Sequence, residues 1–383
     1  IPAQYGGRLS SVVDITLKEG NLYKWTATAK AGIVTSSLNI EGPIVKDKVS
    51  VLLAGRRTFI DVFAKDYIEQ FIELPNSRTE FDYFFHDLTF KVNAKLSRKD
   101  RIYASLYTGK DDYFRADAFD RDTALSTIGN GLAWSNLTST LRWNRIWNDK
   151  LFSNLTLTYG EYNYQTIQEN SYRTLENAVE NVNSESGVDF SSSIKNIGLS
   201  LHFDYNLSSN QHAKFGINAI RHDIRPGSFR VYQDFEDSNS RYTSDTTIRL
   251  TAIQAFEIST YVEDNISLTK WAEANIGIRL NAYSADDAFY TTLRPRLSLG
   301  ARLPWKFSTQ ISYVATQQFL HLLSNNTGLP TDLWLSSTEQ IEPQTGWQTT
   351  VKISRSLGNV QISLEGFYRK MADVVAFRPG SIW

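Results

Sequence analysis

Apolar and polar side chains alternate strictly through much of this chain. From Asn196 to Leu207 the odd positions are Ile197, Leu199, Leu201, Phe203, Tyr205 and Leu207, and the even ones are Asn196, Gly198, Ser200, His202, Asp204 and Asn206. A period of two puts each set on its own face of an extended strand, so this stretch predicts a strand with one apolar face. The split returns at Leu293, Pro295, Leu297, Leu299, Ala301 and Leu303 against Arg294, Arg296, Ser298, Gly300 and Arg302, which gathers three arginines on one polar face. Ile276, Ile278, Leu280 and Ala282 alternate with Asn275, Gly277, Arg279 and Asn281, and Leu151, Leu155, Leu157 and Tyr159 with Asn154, Thr156 and Thr158. Such segments predict about fifteen strands, many of them roughly twice the length of an ordinary soluble strand.

The connections fall into two sizes, as they do in outer-membrane barrels with short periplasmic turns and long outer loops. The short set runs from Glu41-Gly42-Pro43 to Lys48, Ser97 to Asp100, Trp147 to Lys150, Ser208 to Gln211, Thr269 to Trp271, Leu303 to Lys306 and Ser356 to Asn359. The long set is Arg57 to Asp82, Asp112 to Asn130, Glu169 to Val188, Asp223 to Ile253 and Thr316 to Thr345. Trp143, Trp147, Tyr162, Tyr164, Tyr103 and Tyr107 gather near strand ends, which predicts an aromatic girdle at headgroup depth. A soluble sandwich or solenoid would need a second sheet or a regular repeat to cover these apolar faces, and the sequence has no such repeat.

Composition narrows the choice. The chain has 383 residues, 41% apolar, without the roughly 18 to 20 uninterrupted apolar residues of a membrane-spanning helix. Its mean hydropathy of −0.33 does not count against a barrel, whose strands hide their polar half in the lumen. Forty basic residues against 41 acidic ones leave no basic footprint for a nucleic-acid partner. The absence of Cys excludes thiol catalysis and disulfides. Ile1-Pro2-Ala3 does not open an export signal, so the signal is expected upstream and the chain reads as an internal piece.

The first sixty residues carry a second signal. Ala3-Gln4-Tyr5-Gly6-Gly7-Arg8-Leu9-Ser10-Ser11-Val12-Val13-Asp14-Ile15-Thr16, followed by Lys18-Glu19-Gly20-Asn21, resembles the end of the plug domain in TonB-dependent receptors of Bacteroidetes-like bacteria. Ser37 to Pro43 and Val51 to Phe59 resemble that group's first barrel strands, and Gln318 to Asn325, Gly328 to Trp334 and Gln340 to Gln344 a mid-barrel outer loop. The run Arg8 to Lys18 departs from the glycan-importing branch, whose plug ends in a run like G-V-I-L-V-T-T-K. The resemblance implies an all-β transmembrane antiparallel barrel of 22 strands, about fifteen of them here, with the C-terminal end of a plug. Residues 1–22 are then the plug end and 23–383 an incomplete barrel. Trp25 to Ala31 would rise, Ile33 to Ile40 descend, and Val360 to Met371 rise again to leave Arg378-Pro379-Gly380 outside. The implied activity is TonB-dependent import of a scarce nutrient across the outer membrane of a Gram-negative bacterium: a siderophore or metal chelate, vitamin, peptide or saccharide. The alternatives are a passive channel and an adhesive surface barrel. Implied partners are the TonB–ExbB–ExbD complex, reached through a segment outside this chain, the outer-membrane lipids, and a surface lipoprotein.

Candidate chemistry is sparse. If the turn at Ser208 to Gln211 pairs adjacent strands, His202 faces position 217 and His222 lies about 17 Å further along, too far to share a metal. Neither H-x-x-x-H nor G-x-S-x-G occurs, so no cofactor, metal site or catalytic residue is assigned and the chain reads as a transporter, not an enzyme. Asp234, Glu236 and Asp237 with Ser238 and Asn239 lack EF-hand spacing and read as a solvated acidic loop. Arg279, Arg294, Arg296 and Arg302 are expected to face the lumen, pairing with plug carboxylates or drawing an anionic solute. Gly6, Gly7 and Arg8 are candidates for plug and gating, and Tyr113, His321 and Trp334 for gripping a solute in the outer loops.

Overall fold

The computed structural model describes residues 1–73, 77–121, 124–176, 179–237, 240–323 and 333–376. Its strands are β1 (Thr26–Lys30), β2 (Thr35–Val45), β3 (Val49–Thr58), β4 (Ser77–Lys95), β5 (Asp100–Arg121), β6 (Ala124–Ile146), β7 (Leu151–Glu176), β8 (Val179–Ser208) and β9 (Gln211–Asp237). There follow β10 (Arg241–Arg249), β11 (Ile253–Ser267), β12 (Ala272–Ala285), β13 (Ala288–Leu303), β14 (Phe307–Gln318), β15 (Leu320–Leu323), β16 (Leu333–Ser336), β17 (Gln344–Leu357) and β18 (Val360–Ala372). Two short helices, α1 (Ile60–Phe63) and α2 (Lys65–Ile72), join β3 to β4. Among the described residues fifteen strands form one antiparallel path in chain order from β1 to β18, with β10 added to β9 off that path and β15–β16 apart as a hairpin.

The short connections fall where the alternation places them, and local polar groups hold them. Asn148 Oδ1 accepts the backbone N–H of Lys150 and Leu151 at 2.9 and 3.0 Å. Ser97 Oγ does the same for Lys99 and Asp100, and Thr269 Oγ1 for Trp271 and Ala272. At the last turn Gly358 takes φ +60°, which a residue without Cβ adopts freely.

The long connections differ from expectation. Most of Asp112 to Asn130 and Glu169 to Val188 is paired strand, and Asp223 to Ile253 is divided between the ends of β9 and the added strand β10. Alternation reports strand only where one face meets an apolar phase. Above that level polar and apolar residues mix on both faces and the backbone ladder continues the hairpins, so no period of two marks them. Residues 324–332, part of the run likened to an outer loop, and Arg378-Pro379-Gly380 lie outside the described residues.

Register corrects a second detail. His202 faces Gly216, not position 217, because a bulge between Asn206 and Ser208 inserts one residue beside the turn. The two faces are otherwise as predicted. Leu141, Leu157, Leu199, Ile258, Ile278 and Leu299 are exposed along the outer wall, a continuous apolar surface that water alone would not leave uncovered.

The aromatic expectation holds only in part. Trp25, Trp147, Trp271 and Trp305 are exposed at the short-turn end, and Trp347, between Tyr313 and Tyr368 at 6.1 and 5.4 Å, lies ten residues above Leu357. At ~3.3 Å per residue and a tilt of ~40°, that separates the two aromatic levels by about 25 Å, the height of a barrel's apolar band. Tyr103, Tyr107, Tyr162 and Tyr164 instead fall on the lumen face, in the same alternating set as Lys91, Arg142 and Thr156. They sit in strands that continue past the band, so nearness to an expected loop misplaced them.

Candidate functional site

Residues 1–22 lie against the concave face of the sheet, and two arginines hold their start. Arg296, on β13, donates to the carbonyls of Ile1 at 3.1 Å, Pro2 and Tyr5. Arg279, on β12, donates to those of Ala3 at 3.1 Å and Gln4 at 2.9 Å. All five carbonyls of the first five residues therefore end on a guanidinium. Both arginines are 4% exposed, and Arg279 is fixed from behind by Asn281 Oδ1 at 2.9 Å and Ser259 Oγ. The Ala3 N–H meets Glu263, whose other oxygen accepts from Asn275 Nδ2 at 2.9 Å.

The expected partners of the arginines were plug carboxylates; those observed are backbone carbonyls. Of the other two lumen-facing candidates, Arg294 donates to Gln317 Oε1 at 3.0 Å, and Arg302 is exposed near the short turns without a hydrogen bond to the segment.

Gly6 and Gly7 allow the segment to approach this closely. A Cβ on Gly6 would stand 2.4 Å from Arg279 Nε, and one on Gly7, at φ +74°, 2.9 Å from Glu257 Oε1. Glu257 is buried beside His222, whose Nε2 lies 3.8 Å away while its Nδ1 meets Asn196 Oδ1 at 2.7 Å. Sequence reasoning missed this pair, because periodicity names the face and not the height. Arg8 is exposed and folds back onto the Gly7 carbonyl at 2.7 Å.

The segment then crosses to the other end of the path. Leu9 donates to Gln318 Oε1 of β14 at 3.2 Å and accepts from Arg369 of β18. Lys91 donates to the Leu17 carbonyl at 2.7 Å, Asn93 to Glu19 at 3.1 Å, and Lys18 pairs with Glu41. Gly20 runs so close to β3 that a Cβ would meet the Val51 carbonyl oxygen at 2.3 Å. The chain leaves at the short-turn end, where Asp47 N–H bonds the Leu22 carbonyl at 3.0 Å.

Above the segment the β15–β16 hairpin folds inward. Phe319 stacks on Tyr283 at 4.3 Å, and Tyr283 shares a 2.7 Å hydrogen bond with Ser336. Leu320, Ile194 and Ile224 complete one apolar cluster, and Leu323 and Leu333 join Tyr164 and Phe190 in another. His321 is 1% exposed and its Nε2 meets Ser337 Oγ at 3.0 Å. Burial pushes its pKa down, with Gln344 opposing and Arg8 adding to the shift. Trp334 is half-buried against the first cluster, with its indole N–H lacking a hydrogen-bond partner among the described residues. Tyr113 lies on β5 at 5.9 Å from Phe81. Thus His321 and Trp334 share one inward hairpin, and Tyr113 belongs to a different wall.

No family model matches the chain and no curated protein matches it in sequence; the likeness is to solved structures. The ferric enterobactin receptor PfeA from Pseudomonas aeruginosa gives a TM-score of 0.58 at 13% identity, covering 96% of this chain and 56% of its own. The pyoverdine outer membrane receptor FpvA from Pseudomonas aeruginosa PAO1 gives 0.58 at 11%, with coverages of 93% and 54%. The RagAB peptide importer in its closed-closed state gives 0.55 at 8%, with 89% and 44%. The chain spans about half the length of these structures. At such identities the likeness is one of architecture, and in architecture this chain has the β-barrel fold of TonB-dependent outer-membrane receptors.

Proposed function

We propose that this chain forms part of an outer-membrane transporter that imports a scarce nutrient under TonB control, with residues 1–22 as the end of its plug and 23–383 as barrel. The observation that carries the reading is the seating of residues 1–5 on Arg279 and Arg296 inside a wall whose outer face is apolar. A passive channel has no use for a segment fastened across its lumen, which argues against that alternative.

The contacts suit a gate. Force applied upstream of Ile1 meets its carbonyl and that of Pro2 on Arg296 before those of Ala3 and Gln4 on Arg279, so the segment peels bond by bond. Water entering the lumen replaces each released partner, which keeps every step small. Gly6, Gly7 and Arg8 would move next, and with them the contact to Glu257.

Binding alone cannot drive uphill uptake, since a ligand shifts an equilibrium only by its differential affinity for two states. The work would come from TonB–ExbB–ExbD. Receptors of similar fold are described for siderophores and for peptides, which supports a siderophore, metal chelate or peptide before a vitamin or saccharide, and RagAB also makes a surface lipoprotein a candidate partner. Tyr113, His321 and Trp334 remain the proposed solute contacts, with the buried His321 acting only once its hairpin opens. Uptake by cells carrying the full-length protein, with and without TonB, tests the reading over a panel of metal chelates, cobalamin, peptides and oligosaccharides. Loss of uptake without TonB supports it, and persistence would establish a passive channel.

A further inference from the structure

The outer wall holds a groove that import does not use, and the inference drawn from it rests on the membrane reading above for its depth. On β9 the outward side chains Phe215, Ile217 and Ala219 give way at Arg221, whose guanidinium lies 5.8 Å from the ring centre of Phe256. Just beyond, β9 leaves β11 after Ile224 and takes up β10 from Ser228, with a register shift opposite Ser192. This corner borders a groove of about 960 Å³, whose outward-facing lining includes Lys110, Asp112, Asn163, Ser191, Arg225 and Arg249.

Its charges are not balanced. Lys110 is committed to Asp112 at 2.5 Å. Arg225 and Arg249 are exposed, and among the described residues neither guanidinium has an ion pair or a hydrogen bond. Lys195 is paired with Glu161 at 3.3 Å, and the remaining nearby outward carboxylate, Asp223, is offset by Arg221 two residues below it on the same face, so neither tips the balance. Arg225 is four residues beyond Arg221, about 13 Å along the strand and roughly 10 Å higher at a tilt of ~40°. That height is headgroup depth above the apolar band.

We propose that this groove binds the phosphorylated sugar headgroup of an outer-leaflet glycolipid. Guanidinium forks match phosphate oxygens, which Arg225 and Arg249 would take, while Ser191 and Asn163 face the sugar hydroxyls. The acyl chains would run down over Ala219, Ile217 and Phe215. A free anion would gain nothing from that apolar surface, which is why a lipid fits better than phosphate alone.

The test uses the full-length protein in phosphatidylcholine vesicles doped with a bisphosphorylated glucosamine disaccharide lipid or its dephosphorylated form. Lipid retained after detergent extraction is counted by native mass spectrometry. The wild type should prefer the phosphorylated form, and R225Q/R249Q should lose at least about tenfold of that preference, since one charge-assisted contact is worth roughly that factor. R225K should fall between them, and K270Q, altered at a short turn, should match the wild type. The proposal is overturned if the double variant keeps its preference, if both lipids are lost equally, or if millimolar inorganic phosphate displaces the lipid. Failure of the wild type to enter the vesicles at all would remove the membrane reading and this one with it.

Discussion

Replacing Arg296 or Arg279 by glutamine tests directly what fastens the N-terminal segment. Each guanidinium-to-carbonyl bond would be worth about 1.5–3 kcal/mol in a dry interior. In a lumen that water can enter, the freed carbonyls are resolvated, so about 1 kcal/mol per contact is the better figure. Arg296 serves three carbonyls and Arg279 two, which gives losses of ~3 and ~2 kcal/mol. If opening of the segment limits exchange, the amides of residues 3–9 should exchange about 150-fold faster in R296Q and about 30-fold faster in R279Q. Hydrogen exchange read by mass spectrometry on the full-length protein measures this, with R302Q as control. Arg302 shares the face of Arg296 and leaves the segment untouched, so its loss should change nothing. Changes below threefold in both variants, or an equal change in R302Q, would refute the clamp.

Gly20→Ala should loosen the other end of the segment by about 1–3 kcal/mol, because its Cβ would collide with β3 backbone that cannot swing aside. Faster exchange at residues 17–22 with residues 3–6 unchanged is the expected pattern, and unchanged exchange at 17–22 would contradict it. His321 has a folded pKa below its unfolded value of ~6.5, so the unfolded hairpin binds the proton more readily. The stability of β15–β16 is therefore complete above about pH 6.5 and lost as pH falls below it, and exchange of its amides should rise on acidification in the wild type but not in H321Q. Leu299→Arg puts a cation on the outer wall six residues from Trp305, about 15 Å up the band at ~3.3 Å per residue and a tilt of ~40°, and should cost about 2–4 kcal/mol of folding free energy in a bilayer. Unfolding titrations in phospholipid vesicles read that cost, and an effect below about 0.5 kcal/mol would mean that this face does not meet lipid at mid-depth.

Much of the fold was legible because a strand with one apolar face carries a period of two along its sequence. The same logic explains the failures. Beyond those stretches the hairpins continue with polar and apolar residues mixed on each face, so their residues read as loops, and the tyrosines near those apparent loops face the lumen instead of forming a girdle. One bulge at the turn of β8 and β9 shifted His202 by a residue, and the sequence around Leu207 carries no sign of it. At the site, alternation puts Arg279, Arg294, Arg296 and Arg302 on one side, yet only geometry separates the two that bond the segment from the two that do not. Height along a strand depends on where each turn begins, and periodicity is blind to it.

The choice of partner on the segment has a consequence of its own. Had the arginines met carboxylates, the segment would need Asp or Glu at fixed positions, and each buried pair would cost several kcal/mol to separate. Carbonyls are present at every residue, so a clamp addressed to the backbone leaves side chains free to vary and concentrates its demand where the backbone must come near. Those places are Gly6, Gly7 and Gly20, the residues whose Cβ would strike Arg279, Glu257 and Val51. It follows that the glycines of the segment and the arginines of the wall are one feature divided between two parts of the chain. A neutral acceptor on a charged donor, resolvable by water, is held at rest yet can be released in small steps, which would suit the gate proposed above.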